Sequence, residues 1–136
     1  VIVADTSVLL AAADPRDASH GTCRRFLGEA RGPLVVPMPV AFEAAELIGS
    51  RVSQAAASAF LSDCASGSFL AVAVLSDDLS RVAELVEDYA DLRLGAVDAA
   101  IVATAERLGV TTIATLDRRH FSVVRPAHAD AFTLVP

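Results

Sequence analysis

Short apolar runs alternate with longer stretches of helical spacing along this whole chain, and that alternation leaves few folds open to it. Val1 to Ala4, Leu34 to Val36, Phe69 to Leu75 and Val110 to Thr115 are too short for core helices, and their flanks are polar or turn-forming. They read as strands, the first of them buried, with Phe132 to Val135 as a last one. The first run stops at Asp5-Thr6-Ser7, after which Val8-Leu9-Leu10 resume as a helix. Cys23, Phe26, Leu27 and Ala30 recur at helical spacing over His20 to Ala30, and Gly32-Pro33 ends that helix. Pro37 and Pro39 lead into a helix from about Val40 to Ile48; a break is expected at Gly49-Ser50, followed by an Ala-rich helix over Val52 to Ala65. Ser76 heads an amphipathic helix carrying Leu79, Val82, Ala83 and Val86. Asp91 to Gly95 is a connector, Asp98 opens an apolar helix that runs to Leu108, and Gly109 closes it. A helical turn is expected over Arg118 to Phe121. Strands separated by helices predict a three-layer α/β/α sandwich around a mostly parallel sheet.

Composition narrows the chemistry. With 136 residues, 54% of them hydrophobic, the chain has material for one core and one domain, residues 1–136. Its formal net charge of -6 excludes a globally basic nucleic-acid binder and leaves room for a local basic patch. Cys23 and Cys64 have no second Cys or His at ligand spacing, which excludes a disulfide scaffold and a thiolate zinc site and makes both core residues. All 11 basic residues are Arg. Schiff-base and P-loop chemistry therefore fall away, as do the haloacid-dehalogenase and response-regulator readings of an Asp after a strand, which normally need a Lys. Asp5, Asp14, Glu43 and Glu46 interrupt the apolar stretches well short of the roughly 18 residues of a membrane span. VIVADTSVLL has neither a basic leader nor an initiator Met; it reads as a trimmed start, not a signal peptide, and a cytoplasmic protein is expected.

Acids fall where an open α/β sheet builds its sites, beyond the C-terminal ends of the strands. Asp5 follows the first strand and Asp117 the fourth, Asp98 stands at a helix start, and Glu43 lies about one turn past the Pro37-Pro39 segment. Four carboxylates in one cleft repel one another, and a hard divalent cation, Mg2+ or Mn2+, is the simplest compensation. Two such ions about 3.5–4 Å apart would activate a water and hold both oxygens of an in-line phosphodiester displacement. Each acid also has a plainer use. Asp5, with Ser7, suits the cap of the first helix, Asp98 suits an N-cap, and Asp117 suits the cap of a solvated turn. Glu43, Glu46 and Ser50 fit the exposed stripe of one helix, and Glu46 rivals Glu43 as a ligand. Asp91 stands close enough in sequence to approach the cleft without a primary role. Arg118, Arg119 and His120 put cationic groups beside Asp117, where they would meet phosphates. His20 and His128 have no chemical partner at useful spacing.

These residues resemble the PIN-domain ribonucleases of the VapC type, the toxin half of bacterial type II toxin–antitoxin pairs. The resemblance rests on Val3-Ala4-Asp5-Thr6-Ser7, a Glu after a Pro-containing lead into a helix, Leu94-Gly95-Ala96-Val97-Asp98-Ala99, and Thr115-Leu116-Asp117-Arg118-Arg119-His120-Phe121, in that order over nearly the whole chain. It implies that Asp5, Glu43 (in preference to Glu46), Asp98 and Asp117 are the acidic positions, with Thr6, Ser7 and Thr115 lining or buttressing them. It implies Mg2+- or Mn2+-dependent cleavage of RNA, commonly tRNA or rRNA, and inhibition by a small cognate antitoxin laid across the cleft. A homodimer is implied too, as is contact with DNA only through the antitoxin. Two alternatives stand beside it: a nuclease of the same fold that processes RNA without an antitoxin, and a non-enzymatic dimeric binding module associating through the Val52 to Ala65 helix.

Overall fold

The computed structural model describes all residues from Val1 to Pro136. Its elements run β1 (Ile2–Ala4), α1 (Thr6–Ala13), α2 (His20–Glu29), β2 (Leu34–Pro37), α3 (Met38–Arg51), α4 (Gln54–Ser66), β3 (Leu70–Val72), α5 (Ser76–Asp88), α6 (Ala96–Leu108), β4 (Thr112–Ala114), α7 (Arg118–Phe121) and β5 (Thr133–Val135). The sheet has the order β3-β2-β1-β4-β5 and every pair is parallel, with Val3 opposite both Val35 and Ile113. The predicted three-layer α/β/α sandwich is therefore the observed one. Crossovers carry the chain from β1 to β2 to β3 through α1–α4 and back through α5 and α6 to β4. The reversal of direction lies between β1 and β4, which is where this architecture opens a crevice.

Central strands and the helix behind them supply the core. Val3, Val35, Val36, Ile113, Ile101 and Val102 are essentially fully buried, each such side chain contributing roughly 1.5–3 kcal/mol by its removal from water. α6 is buried on nearly all sides, from Ala99 to Ala105, so its first turn is fixed by packing. Two ionic contacts reinforce it: Arg81 on α5 donates from Nε and Nη2 to Glu106 (2.9 and 3.0 Å), and Arg107 donates from Nε to Asp78 (3.0 Å). No helix is long and apolar enough to cross a membrane.

The structure moves several expected boundaries. Gly49-Ser50 does not break α3, which runs to Arg51; the break falls at Val52-Ser53, where Ser53 Oγ accepts from the Ala56 amide and caps α4. The third strand is shorter than its apolar run because β3 is an edge strand with a neighbour on one side. Beyond Val72 the backbone is claimed by side chains: the Ala73 carbonyl accepts from Arg107 and the Leu75 amide donates to Asp78. The fourth strand loses Val110, whose amide turns back to the Ala105 carbonyl around Gly109, a left-handed residue with φ 68°. Asp98 does not open α6; Gly95 occupies the cap position and Asp98 is the third helical residue. α3 begins at Met38, which moves Glu43 into its second turn.

Candidate functional site

Asp5 leaves the end of β1 at the helix-cap position of α1, yet its side chain caps nothing. Its Oδ2 accepts from Ser7 Oγ at 2.7 Å and from Thr115 Oγ1 at 2.8 Å. Both donors attach to one oxygen, so Oδ1 is left without a protein donor. Thr115 follows β4, the neighbour of β1, and the parallel register brings the two strand ends side by side. The same two hydroxyls also order the next loop: the Asp117 amide donates to Thr115 Oγ1 at 2.9 Å and the Leu116 amide to Ser7 Oγ at 3.0 Å. Thr6 takes no part, its buried Oγ1 having no hydrogen-bond partner.

Asp117 does cap its short helix, as one reading of the sequence allowed. Its Oδ1 accepts from the His120 amide at 3.1 Å, and His120 Nδ1 lies 2.5 Å from its Oδ2. The other ring nitrogen, Nε2, lies 3.2 Å from the Leu92 carbonyl oxygen. His120, read from the sequence as a phosphate contact, thus has both nitrogens engaged inside the protein. Arg118 and Arg119 are exposed beside it, Arg118 donating from Nη2 to the Pro136 carbonyl at 2.9 Å.

Asp98 is half-buried and differs from both. Burial, followed by the charges of Asp5 and Asp117 and then of Glu43, pushes its carboxyl from 3.8 up to about 6, against a smaller opposing pull from His120. No hydrogen bond offsets that rise. Glu43 is exposed on α3 but close enough for its charge to act on Asp98; Glu46 and Asp91, also exposed, do not enter that balance. The edge therefore gathers Asp5, Asp98, Asp117 and, more peripherally, Glu43, from four separate segments.

A hard divalent cation suits this set. Oxygens of Asp98 and Asp117 and a ring nitrogen of His120 all lie within 4.8 Å of one another, and a cation there would offset the burial and neighbouring charges that raise the Asp98 carboxyl. Elsewhere the polar groups have structural duties. His20 Nδ1 lies 2.9 Å from the Ala11 carbonyl, His128 Nε2 lies 2.8 Å from that of Val110, and Cys23 is buried in the core. Sequence reasoning missed the Leu92 carbonyl, because a backbone acceptor leaves no trace in residue type.

Known proteins share this sequence pattern and fold. The PIN domain family matches residues 2–125. The chain is 36% identical over 135 residues to ribonuclease VapC26 of Mycobacterium tuberculosis H37Rv, spanning 99% of this chain and 100% of that protein. Its fold matches the crystal structure of Mycobacterium tuberculosis VapC20, a sarcin-ricin loop cleaving toxin, with a TM-score of 0.78 at 24% identity over 83% of this chain and 87% of that one. The second likeness carries the fold alone.

Proposed function

Because this chain belongs to the PIN-domain family and is homologous to the VapC proteins, we propose that it is itself the toxin of a type II pair, a Mg2+- or Mn2+-dependent endoribonuclease. The observation that carries the reading is the approach of Asp98 on α6 to Asp117 after β4, their oxygens within 4.8 Å, beside Asp5 at the end of β1, which is joined to Asp117 through Thr115. In this reading Asp5, Glu43, Asp98 and Asp117 hold the ion. A bound divalent cation supplies an acidified water as nucleophile and neutralises charge at the scissile phosphate. Ser7 and Thr115 fix Asp5 through Oδ2 and leave Oδ1 directed to that task, while Thr6 contributes packing. Arg118 and Arg119 at the rim take neighbouring phosphates.

Water as the nucleophile means that the ribose 2′-hydroxyl is not needed for cleavage, so RNA preference comes from the shape of the substrate and contacts around the cleft. The proposed substrates are tRNA or rRNA. The proposed partners are a second copy of the chain and a small cognate antitoxin, through which alone the protein reaches DNA, and the proposed compartment is the cytoplasm. VapC26, a ribonuclease 36% identical over nearly the whole chain, supports the reaction class.

The deciding experiment is incubation of purified, antitoxin-free protein with total cellular RNA in Mn2+ or Mg2+, beside an EDTA control and the Asp98→Asn variant. Discrete fragments that need the metal and vanish in the variant are the expected outcome. Fragments that persist in EDTA, or equally in Asp98→Asn, would remove the carboxylate site from the reaction.

A further inference from the structure

His120 has more contacts with the acidic edge than a rim residue needs. Its backbone amide and its ring together take both oxygens of Asp117, and the far side of the ring reaches the Leu92 carbonyl. Leu92 belongs to the connector between α5 and α6, a tight turn closed by the Leu92 amide on the Tyr89 carbonyl, the Arg93 amide on that of Ala90 and the Leu94 amide on that of Tyr89. Arg93 there has φ 57°, the one non-glycine residue of the chain at positive φ, so the turn is held in a conformation that costs energy and persists because its surroundings determine it. Three residues past Gly95 the same chain delivers Asp98. A continuous path therefore runs from Asp117 through the imidazole to the turn that launches the Asp98 helix.

We infer that His120 is a positioning residue, clamping Asp117 to the α5–α6 connector so that Asp117 and Asp98 stay close enough to share one cation. The inference rests on the metal-dependent reading above. The clamp has work to do because the two carboxylates repel, and Asp117 sits one-third exposed on a helix of only four residues. Released, it would relax toward solvent. The ring is better placed for this than for ligation. Nε2 lies 3.2 Å from a carbonyl oxygen and Nδ1 2.5 Å from Asp117 Oδ2, so both ring nitrogens already have partners inside the protein. Partners that orient a ligand in this way are commonly worth about 10–100-fold in metal affinity.

The test is Mn2+ binding to the full chain, followed by loss of the free-ion electron paramagnetic resonance signal, in wild type, His120→Ala, His120→Asn and His120→Gln. The asparagine amide nitrogen occupies the place of Nδ1, and the glutamine amide nitrogen that of Nε2. Expected are a loss of about 10–100-fold in affinity for His120→Ala and only partial recovery in His120→Asn and His120→Gln, since each amide keeps one end of the clamp and loses the other. Circular dichroism establishes that each variant is folded. Pulsed resonance on the Mn2+-loaded wild type should show no coupling to a directly bound imidazole nitrogen. Such a coupling, abolished in His120→Ala, would make His120 a ligand and overturn the clamp; so would equal affinity in wild type and His120→Ala, or full recovery in His120→Asn, which keeps the Asp117 contact without the one to Leu92. Wild type that binds no Mn2+ would sink the metal-dependent reading and the clamp with it, whereas failure confined to the His120 series leaves that reading standing.

Discussion

Asp5 and Asp98 face the same cleft under opposite local chemistry. Asp5 is buried with two hydroxyl donors on one oxygen, in a network that continues through Thr115 to Asp117. Asp98 has burial and like charges acting on it and no donor of its own. One side of the site is thus organised before anything binds, and the other is held in an unfavourable electrostatic state by the packing of α6. Polar groups arranged for a bound cation cost stability in its absence, and here nearly all of that cost falls on the unbraced side.

Substitutions can break this contrast. The largest effect is on activity: Asp5→Asn and Asp98→Asn should each lower the metal-dependent RNA cleavage rate by about 100-fold or more, since a direct ligand matters at least as much as its supports. Either variant cleaving at the wild-type rate in saturating Mn2+ would take that residue out of the site.

Stability should then separate the two sides. Thr115→Val removes a buried hydroxyl that donates to Asp5 and accepts from the Asp117 amide, leaving both partners short, and should cost about 1–3 kcal/mol in urea denaturation. Asp98→Asn should do the reverse, stabilising the metal-free protein by roughly 1–2 kcal/mol at pH 7 once solvent screening is allowed for. Its sign follows from the folded-state value of about 6, above the usual 3.8. Below pH 4 the carboxyl is protonated in both folded and unfolded chains and contributes nothing. Between about 4 and 6 the folded state binds more protons, so wild-type stability from this group falls as pH rises, and above about 6 the loss is complete. The gap between Asp98→Asn and wild type should therefore open across that window in chelator-treated samples; a gap that is flat with pH would refute the account of Asp98. Ser7→Ala, which removes a half-buried hydroxyl, should cost about 1 kcal/mol in the same denaturation assay. Smallest of all, Glu46→Gln should leave Mn2+ affinity unchanged, and a drop there would restore Glu46 as Glu43's rival.

Much of this architecture was legible from local pattern. Strand positions followed from short apolar runs, and Gly109 closes its helix as a left-handed residue must. Errors fell where a neighbour overrode propensity. Gly49 sits inside α3 because Ser53, not Gly49, supplies the cap, and the apolar run after Val72 stops pairing at a sheet edge. Asp98 has an N-cap's residue type, but the connector from Tyr89 puts the cap of α6 at Gly95, three residues earlier. At the site, the four acids were readable as residue types at strand and helix ends. Their division into braced and unbraced was not, because Ser7, Thr115 and Asp5 meet only through strand register.

What the sequence determined by itself is the layer order and the inventory: short apolar strands, helices to cover them, acids at the strand ends, and no lysine. Periodicity and composition are local properties, and they survive without knowledge of contacts. Tertiary structure alone decided which charges meet and that His120 turns inward to Asp117 and the Leu92 carbonyl. Those outcomes depend on distances between segments as far apart as residues 5 and 115, and such distances are fixed only when parallel strands find their register and the helices between them pack.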